Sequence, residues 1–408
     1  MTAPLDGIRV VELAGWMAGP GAAAMMADLG ADVIKVEPLH GDAMRGATRQ
    51  PELSDADRAA GKPAVDASFQ NDNRGKRGIA VAVNTPQGAD LVRRLVAGAD
   101  VFLSNLLPAR QAKYGLDSEA LFAVNPRLVH ATLTGYGVTG PDATRPGYDI
   151  TAYFGRGAIV HSMSEPGSQA PRVRPAVGDH TAALSLLASI LAALRLVEHS
   201  GQGQVVDVSL YATAAWAMST DLAATLVDGK NPPSTGRRGR PHALHGAFKC
   251  ADDRWVLLFM PEPRWWPLFC TAVGREEWIA DERFATYPVR KEHMSELTDV
   301  MDVLFAERSL AAWGELLDAH RFIWAPASTV AEFAEDPQAN ELGFFPTIEH
   351  PSGSFRTVGA PFNIAGTDVG PRGPAPELGQ HTADVLAELG VPAEEVDTLV
   401  ANGVLGRG

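Results

Sequence analysis

An α/β protein built on a doubly wound parallel sheet is the architecture to expect of this 408-residue chain. β-branched runs alternate with helical stretches through its first half, so each helix falls between two strands, as right-handed crossovers require. Glycine-rich turns also follow the strand-like runs where the chain must turn into a helix.

Ile8 to Leu13 (IRVVEL) reads as the first strand, followed by a glycine-rich turn, a helix from Gly21 to Leu29 and a second strand, Asp32 to Glu37. A basic run, Arg74, Lys76 and Arg77, precedes strand-like Ile79 to Val83. The helix Gln87 to Ala97 stops at Gly98, strand Asp100 to Ser104 follows, and Leu128 to Leu133 leads into the turn Gly135-Tyr136-Gly137. The longest apolar stretch, Ala182 to Val197, is interrupted by Ser185, Ser189 and Arg195. It is shorter than the roughly 20 residues of a membrane span, and is expected as a buried helix within Thr181 to His199, stopped by Gly201. Strand Val205 to Leu210 and helix Ala212 to Val227 complete this half. From Asp228 to Pro241 the composition turns to Gly, Pro and basic residues, as in a linker. A smaller α+β region follows, with strands Phe248 to Cys250 and Trp255 to Met260 and helices Trp265 to Val273 and Ser295 to Arg321. After Asp336-Pro337 come loops, short strands and two helices, His381 to Leu389 and Ala393 to Val404.

Thirty-five Lys and Arg against 49 Asp and Glu give a net charge of −14. That acidity excludes nucleic acid and anionic membrane as partners. With 46% hydrophobic and 21% charged residues, the chain can bury a core and is not disordered. Cys250 and Cys270 stand apart, with no Cys/His cluster, so neither a disulfide nor a metal site is expected. The opening MTAPLDGIRVVEL lacks the basic and long apolar regions of a signal peptide, which places the protein in the cytoplasm.

The first turn, Gly15 to Gly21, invites a nucleotide-binding reading, with Glu37 where a ribose-binding acid would stand. Neither G-x-G-x-x-G nor a Gly-Lys-Ser/Thr ending is present. The glycines fit a tight turn and close packing better, although N–H groups opening the helix can hold a phosphate or carboxylate. The basic run fits either a solvated loop or a polyanionic ligand. Asp179, after Gly178 at the head of the apolar helix, is the residue singled out for chemistry. There it accepts N–H bonds from the first turn, which lowers its pKa and keeps it ionised, either as a plain N-cap or as a carboxylate nucleophile. His180 is either a general base or a surface and packing residue. Trp255, Trp265 and Trp266 read as core or interface aromatics. Absence of Gly-x-Ser-x-Gly disfavours a serine hydrolase.

The blocks PLDGIRVVELAGWMAGPGAAAMMADLGADVIKVEP, NRGKRGIAVAVNTPQG, ADVFLSN, NPRLVHATLTGYG, PGYDITAY, AVGDHTAAL, GQGQVVDVSL and LGQHTADVLAELG, in this order, resemble the family III CoA-transferases. The resemblance spans nearly the whole chain and is loosest from Asp228 to Gln338. It implies an interlocked homodimer. Each chain would have a large Rossmann-like domain of residues 1–227 and 335–408 and a small α+β domain of residues 228–334. It implies Asp179 as the nucleophile that carries first the acyl group, as a mixed anhydride, and then CoA, as an aspartyl thioester. CoA contacts would fall on Met17, Ala18, Val81, Ala82, Val83, Asn84, Asn105, Leu106, Lys113, Gly147, Tyr148 and Asp149. Pro38 stands where some members carry an arginine. The substrates implied are an acyl-CoA and a carboxylic acid, with no tightly bound cofactor. A racemase branch pairs its aspartate with a histidine where this chain has Tyr148, and tyrosine is a poor base at neutral pH. Transfer is therefore favoured over racemisation and over a non-catalytic CoA-binding role.

Overall fold

The computed structural model describes residues 3–48, 52–60, 64–232 and 236–407. The chain folds into two compact units. One comprises Met1–Val160, Arg172–Ala223 and Pro337–Gly408; the other comprises His161–Pro171 and Ala224–Asp336. Residues 161–171 thus belong with the middle of the chain rather than with the large domain in which the sequence placed them.

The larger unit holds a seven-stranded sheet. Its strands are β1 (Arg9–Leu13), β2 (Asp32–Glu37), β3 (Arg77–Val81), β4 (Val101–Ser104), β5 (Val129–Thr134), β6 (Gln204–Ser209) and an edge strand, Leu405–Gly406. The order is edge, β3, β2, β1, β4, β5, β6. All neighbours are parallel except the edge strand, which runs antiparallel to β3. Alternate strand residues feed two cores. Val10, Val33, Val101 and Val129 pack beneath Ala18–Asp28 (α1) and the long helix Val177–Ser200; Val11, Ile34, Ile79 and Phe102 pack on the other face against helices 86–97 and 382–388.

α1 starts three residues earlier than expected, so Gly19 lies inside it, where a Cβ would stand 2.8 Å from the Ala14 Cβ. The basic run faces inward, overturning both the solvated-loop and polyanion readings. Arg74 holds buried Asp28 at 2.6 Å, Lys76 holds buried Glu12 at 2.6 Å, and Arg77 pairs with Asp32 and Glu388.

The long helix is 24 residues, long and apolar enough by length and composition to cross a membrane. It runs longer than expected because it begins at Val177. One side of it, Ala182, Leu186, Ile190 and Ala193, is buried against the sheet core.

In the smaller unit β7 (His245–Lys249), β8 (Trp255–Phe259) and β9 (Trp324–Pro326) form an antiparallel sheet. Trp266, Phe269, Phe305, Trp313 and the free cysteines Cys250 and Cys270 are buried in its core. Two expected single helices are broken in two. Ser295–Arg321 divides into Met294–Phe305 and Leu310–Ala319, because Ser309 caps a new helix by accepting the Ala312 N–H. Ala212–Val227 divides at Met218 into Leu210–Ala217 and Ser219–Asp228. The expected linker is anchored through Arg237 to Asp302 and Arg238 to Asp299, and its residues 233–235 lie outside the described ones.

Candidate functional site

The strand order 3-2-1-4-5-6 reverses direction between β1 and β4, and a crevice opens beyond the carboxyl ends of strands at such a switch point. A cavity of about 630 Å³ lies there, lined by the loops after β1 (Leu13 to Trp16) and β4 (Asn105 to Leu107), and by Thr134, Gly147, Tyr148 and Asp179. The two loops are tied together. Asn105 accepts the Gly15 N–H at 3.2 Å and returns its amide to the Gly15 carbonyl at 2.8 Å, while Ser104 donates to Leu13 O at 3.0 Å.

Beneath the first loop lies a buried charge network. Lys35 Nζ donates to Glu12 (3.1 Å), Asp42 (2.9 Å) and Ala14 O (3.0 Å), and Asp42 in turn accepts the Trp16 N–H at 3.0 Å. Burial alone would lower the Lys35 pKa, but Glu12, Asp42 and Glu37 outweigh it and raise it. Lys76, equally buried, is pushed down to about 8 by its burial, against the charge of Glu12 and with the charge of Lys35 adding to the fall. The network holds Trp16 at φ +66°, a left-handed conformation that costs a non-glycine residue energy. Its indole meets the Tyr148 ring edge to face at 5.4 Å.

Asp179 is the third residue of the long helix, half-buried at the cavity wall. It is not the N-cap. Ala176 is, at φ +76°, with no side-chain cap of its own. The helix's opening N–H groups go instead to Asp149, 27 residues upstream, whose buried carboxylate accepts Ala176 N–H at 2.6 Å and bonds also the backbone of Gly178 and Ile150. Gly178 allows this start, since a Cβ there would stand 2.6 Å from the Tyr153 ring. The Asp179 carboxyl therefore lacks the expected stabilisation. Burial, then the charge of Asp149, push its pKa up to about 7, against the opposing charge of His180. The expectation of a lowered pKa is overturned because the capping bonds are made by another residue. His180 bonds Asp72 through Nε2 at 3.1 Å, and that hydrogen bond is the main cause of its raised pKa. The bond to Asp72 favours the protonated ring, whose charge in turn favours the ionised form of Asp179.

The arrangement presents a desolvated carboxylate, titrating at neutral pH, inside a cavity large enough for an acyl chain. The sequence profile of CoA-transferase family III matches residues 5–382. The chain belongs to CoA-transferase family III. Among similar proteins, the (R)-2-hydroxy-4-methylpentanoate CoA-transferase of Clostridioides difficile is 31% identical over 397 residues, covering 96% of this chain and 97% of the relative. The succinate–glutarate CoA-transferase of Agrobacterium fabrum is 34% identical over 390 residues, covering 95% and 96%. The crystal structure of a CAIB/BAIF family protein from Brucella suis superposes with a TM-score of 0.83 at 32% identity, covering 95% of this chain and all of that one.

Of the residues that the resemblance to family III marks for CoA, the cavity brings together Ala18, Asn105, Leu106, Gly147 and Tyr148 with Asp179. The others are not among its lining residues. Met17 packs beside Met44 and Phe69. Val81, Ala82 and Val83 are buried at the end of β3, Asn84 and Lys113 are exposed, and Asp149 is spent on the long helix. Arg110 and His40 line the cavity although the sequence did not single them out. Arg110 lies on the helix Pro108–Tyr114 that also carries Lys113, three residues earlier, so a one-turn slip of the expected basic contact would have found it. Pro38 lines the cavity, and Glu37 beside it is taken up by Arg45 in a two-pronged pair at 2.8 and 2.7 Å. Glu37 is therefore not free for a ribose. Gly135 and Gly147 let two backbones meet at the rim, since a Cβ on Gly135 would stand 2.8 Å from the Gly147 Cα.

Proposed function

We propose that this family III CoA-transferase moves CoA from an acyl-CoA to a carboxylic acid with Asp179 as covalent carrier. The observation that carries the reading is the half-buried carboxyl of Asp179 at the switch-point cavity, with its pKa near 7. Ionised Asp179 attacks the thioester carbonyl, forming a mixed anhydride and releasing CoA thiolate. The thiolate attacks the aspartyl carbonyl, giving an aspartyl-CoA thioester and the donor's free acid. The acceptor carboxylate then displaces the thiolate to form a second anhydride. The thiolate attacks its acyl carbon, which yields the new acyl-CoA and restores Asp179. Each step exchanges one acyl bond for another, so no water and no tightly bound cofactor is needed.

The names of the relatives favour branched 2-hydroxy acids or short dicarboxylic acids as substrates. Tyr148 in place of a histidine, and Asp149 held by backbone N–H groups, speak against a two-base racemase. Met17, Val81 to Asn84 and Lys113 remain proposed CoA contacts beside the lining residues. The exposed apolar side chains Leu184, Leu196 and Trp216 support burial against a second copy in an interlocked homodimer, acting in the cytoplasm.

Intact-mass spectrometry after incubation with a panel of acyl-CoAs tests the reading. A CoA adduct on the peptide holding Asp179, absent from Asp179→Ala, is the expected result. An unchanged mass together with deuterium exchange at the substrate α-carbon would replace transfer by racemisation.

A further inference from the structure

In the smaller unit Arg240 is only 6% exposed, and none of its three guanidinium nitrogens has a hydrogen-bond partner among the described residues. The surroundings explain the deficit. Asp302, the carboxylate whose charge reaches Arg240, is occupied by Arg237, which pairs with both its oxygens and also donates twice to the Ala247 carbonyl, at 3.1 and 3.0 Å. Arg240 is left against the face of Phe248, 4.5 Å from the ring centroid. A cation–π contact replaces only part of the hydration that a buried guanidinium gives up. Burial and the charge of Arg237 push its pKa down to about 10, which still leaves it charged at neutral pH. His245, at the start of β7, adds a second orphan. Its ring sits edge-on against Phe259 at 4.7 Å and its buried Nδ1 has no partner among the described residues. Burial, His242 and Arg240 all lower its pKa, so the ring is neutral and able to donate one N–H. Gly246, next to His245 at φ +147°, lies close against the guanidinium, where a Cβ would stand 3.3 Å from Nη1.

We infer that Arg240, with His245 beside it, forms a binding site for the carboxylate of a small organic acid. A guanidinium offers two parallel N–H donors at the spacing of two carboxylate oxygens. A buried arginine without that partner weakens the ligand-free fold, because the desolvation of its charge is uncompensated. Binding of an acid removes the deficit. The identity of the acid as a substrate rests on the transferase reading, whereas the anion site stands on the surroundings of Arg240 alone.

Thermal melts of the full chain test this at matched ionic strength with succinate, butyrate or inorganic phosphate. Wild type should gain roughly 2 °C in Tm with either carboxylate, and Arg240→Met should lose that gain while melting higher than wild type without ligand. Arg240→Lys, which keeps the charge but not the fork, should retain less than half of the shift. The Asp179→Ala variant should keep the full carboxylate response. A missing CoA adduct in wild type with this response intact would therefore sink the covalent mechanism and leave the anion site standing. Three results overturn the site. In one, Arg240→Met melts lower without ligand and still responds to acids, which makes the side chain a prop on Phe248. In another, phosphate stabilises as well as the carboxylates do. In the last, Arg240→Met changes the sedimentation coefficient and not the ligand response, which gives the guanidinium to a carboxylate of a second copy.

Discussion

With the Asp179 carboxyl near pKa 7 through burial and the charge of Asp149, about a tenth of the molecules carry the nucleophile at pH 6 and about nine-tenths at pH 8. Single-turnover adduct formation should therefore fall tenfold per pH unit below 7 and level off above it. Asp149→Asn removes the neighbouring negative charge and should move this acid limb to lower pH; His180→Gln removes a positive one and should move it higher. A stopped-flow pH profile that stays put in both variants would sever the coupling. The same shift acts on stability. A carboxyl whose folded pKa exceeds its unfolded value near 3.8 favours folding least once the pH passes 7. Asp179→Asn should thus raise Tm by roughly 1–3 °C at pH 8 and lose the advantage at pH 4, as scanning calorimetry would show. The position of Asp179 was legible through the order of sequence blocks, while its ionisation was not. A local reading assigns a helix's first N–H groups to the nearest carboxylate, and here they are taken by one 27 residues away.

At the level of elements, strand interiors of the large sheet were legible because β-branched residues packed on both faces leave little choice, and their ends moved by at most two residues, whereas β7 begins at His245, three residues before the expected Phe248. Helix ends were less so, since Ser309 starts a new helix with a single hydroxyl in the middle of an apolar pattern. Inward-facing cations were illegible. A Lys on β2 reads as solvated until Glu12 on β1 and Asp42 beyond the strand are seen to enclose it. Lys35→Met should cost about 3–5 kcal/mol in urea unfolding, because it takes the cation from buried Asp42 and leaves buried Glu12 with Lys76 alone. It should also weaken substrate binding, by releasing the loop that holds Trp16. A loss below about 1 kcal/mol would show the network to be incidental.

Across the whole molecule, the sheet was legible strand by strand except for its last member, two residues too short to carry a period. Leu405–Gly406 covers the open side of β3, and an uncovered edge of that length is a template for pairing with other chains. Ending the chain at Asn402 should leave the cavity intact and increase light scattering on mild heating relative to the full chain. The middle unit is an insertion between segments of the larger one, so β3 and its cover are separated by most of the chain. At the roughly 5–20 residues per second of synthesis, the nascent sheet spends at least about 15 seconds with that edge bare. The demand on cellular folding helpers is thus set by how much chain separates β3 from its cover, the inserted unit included, whatever acid the finished protein handles.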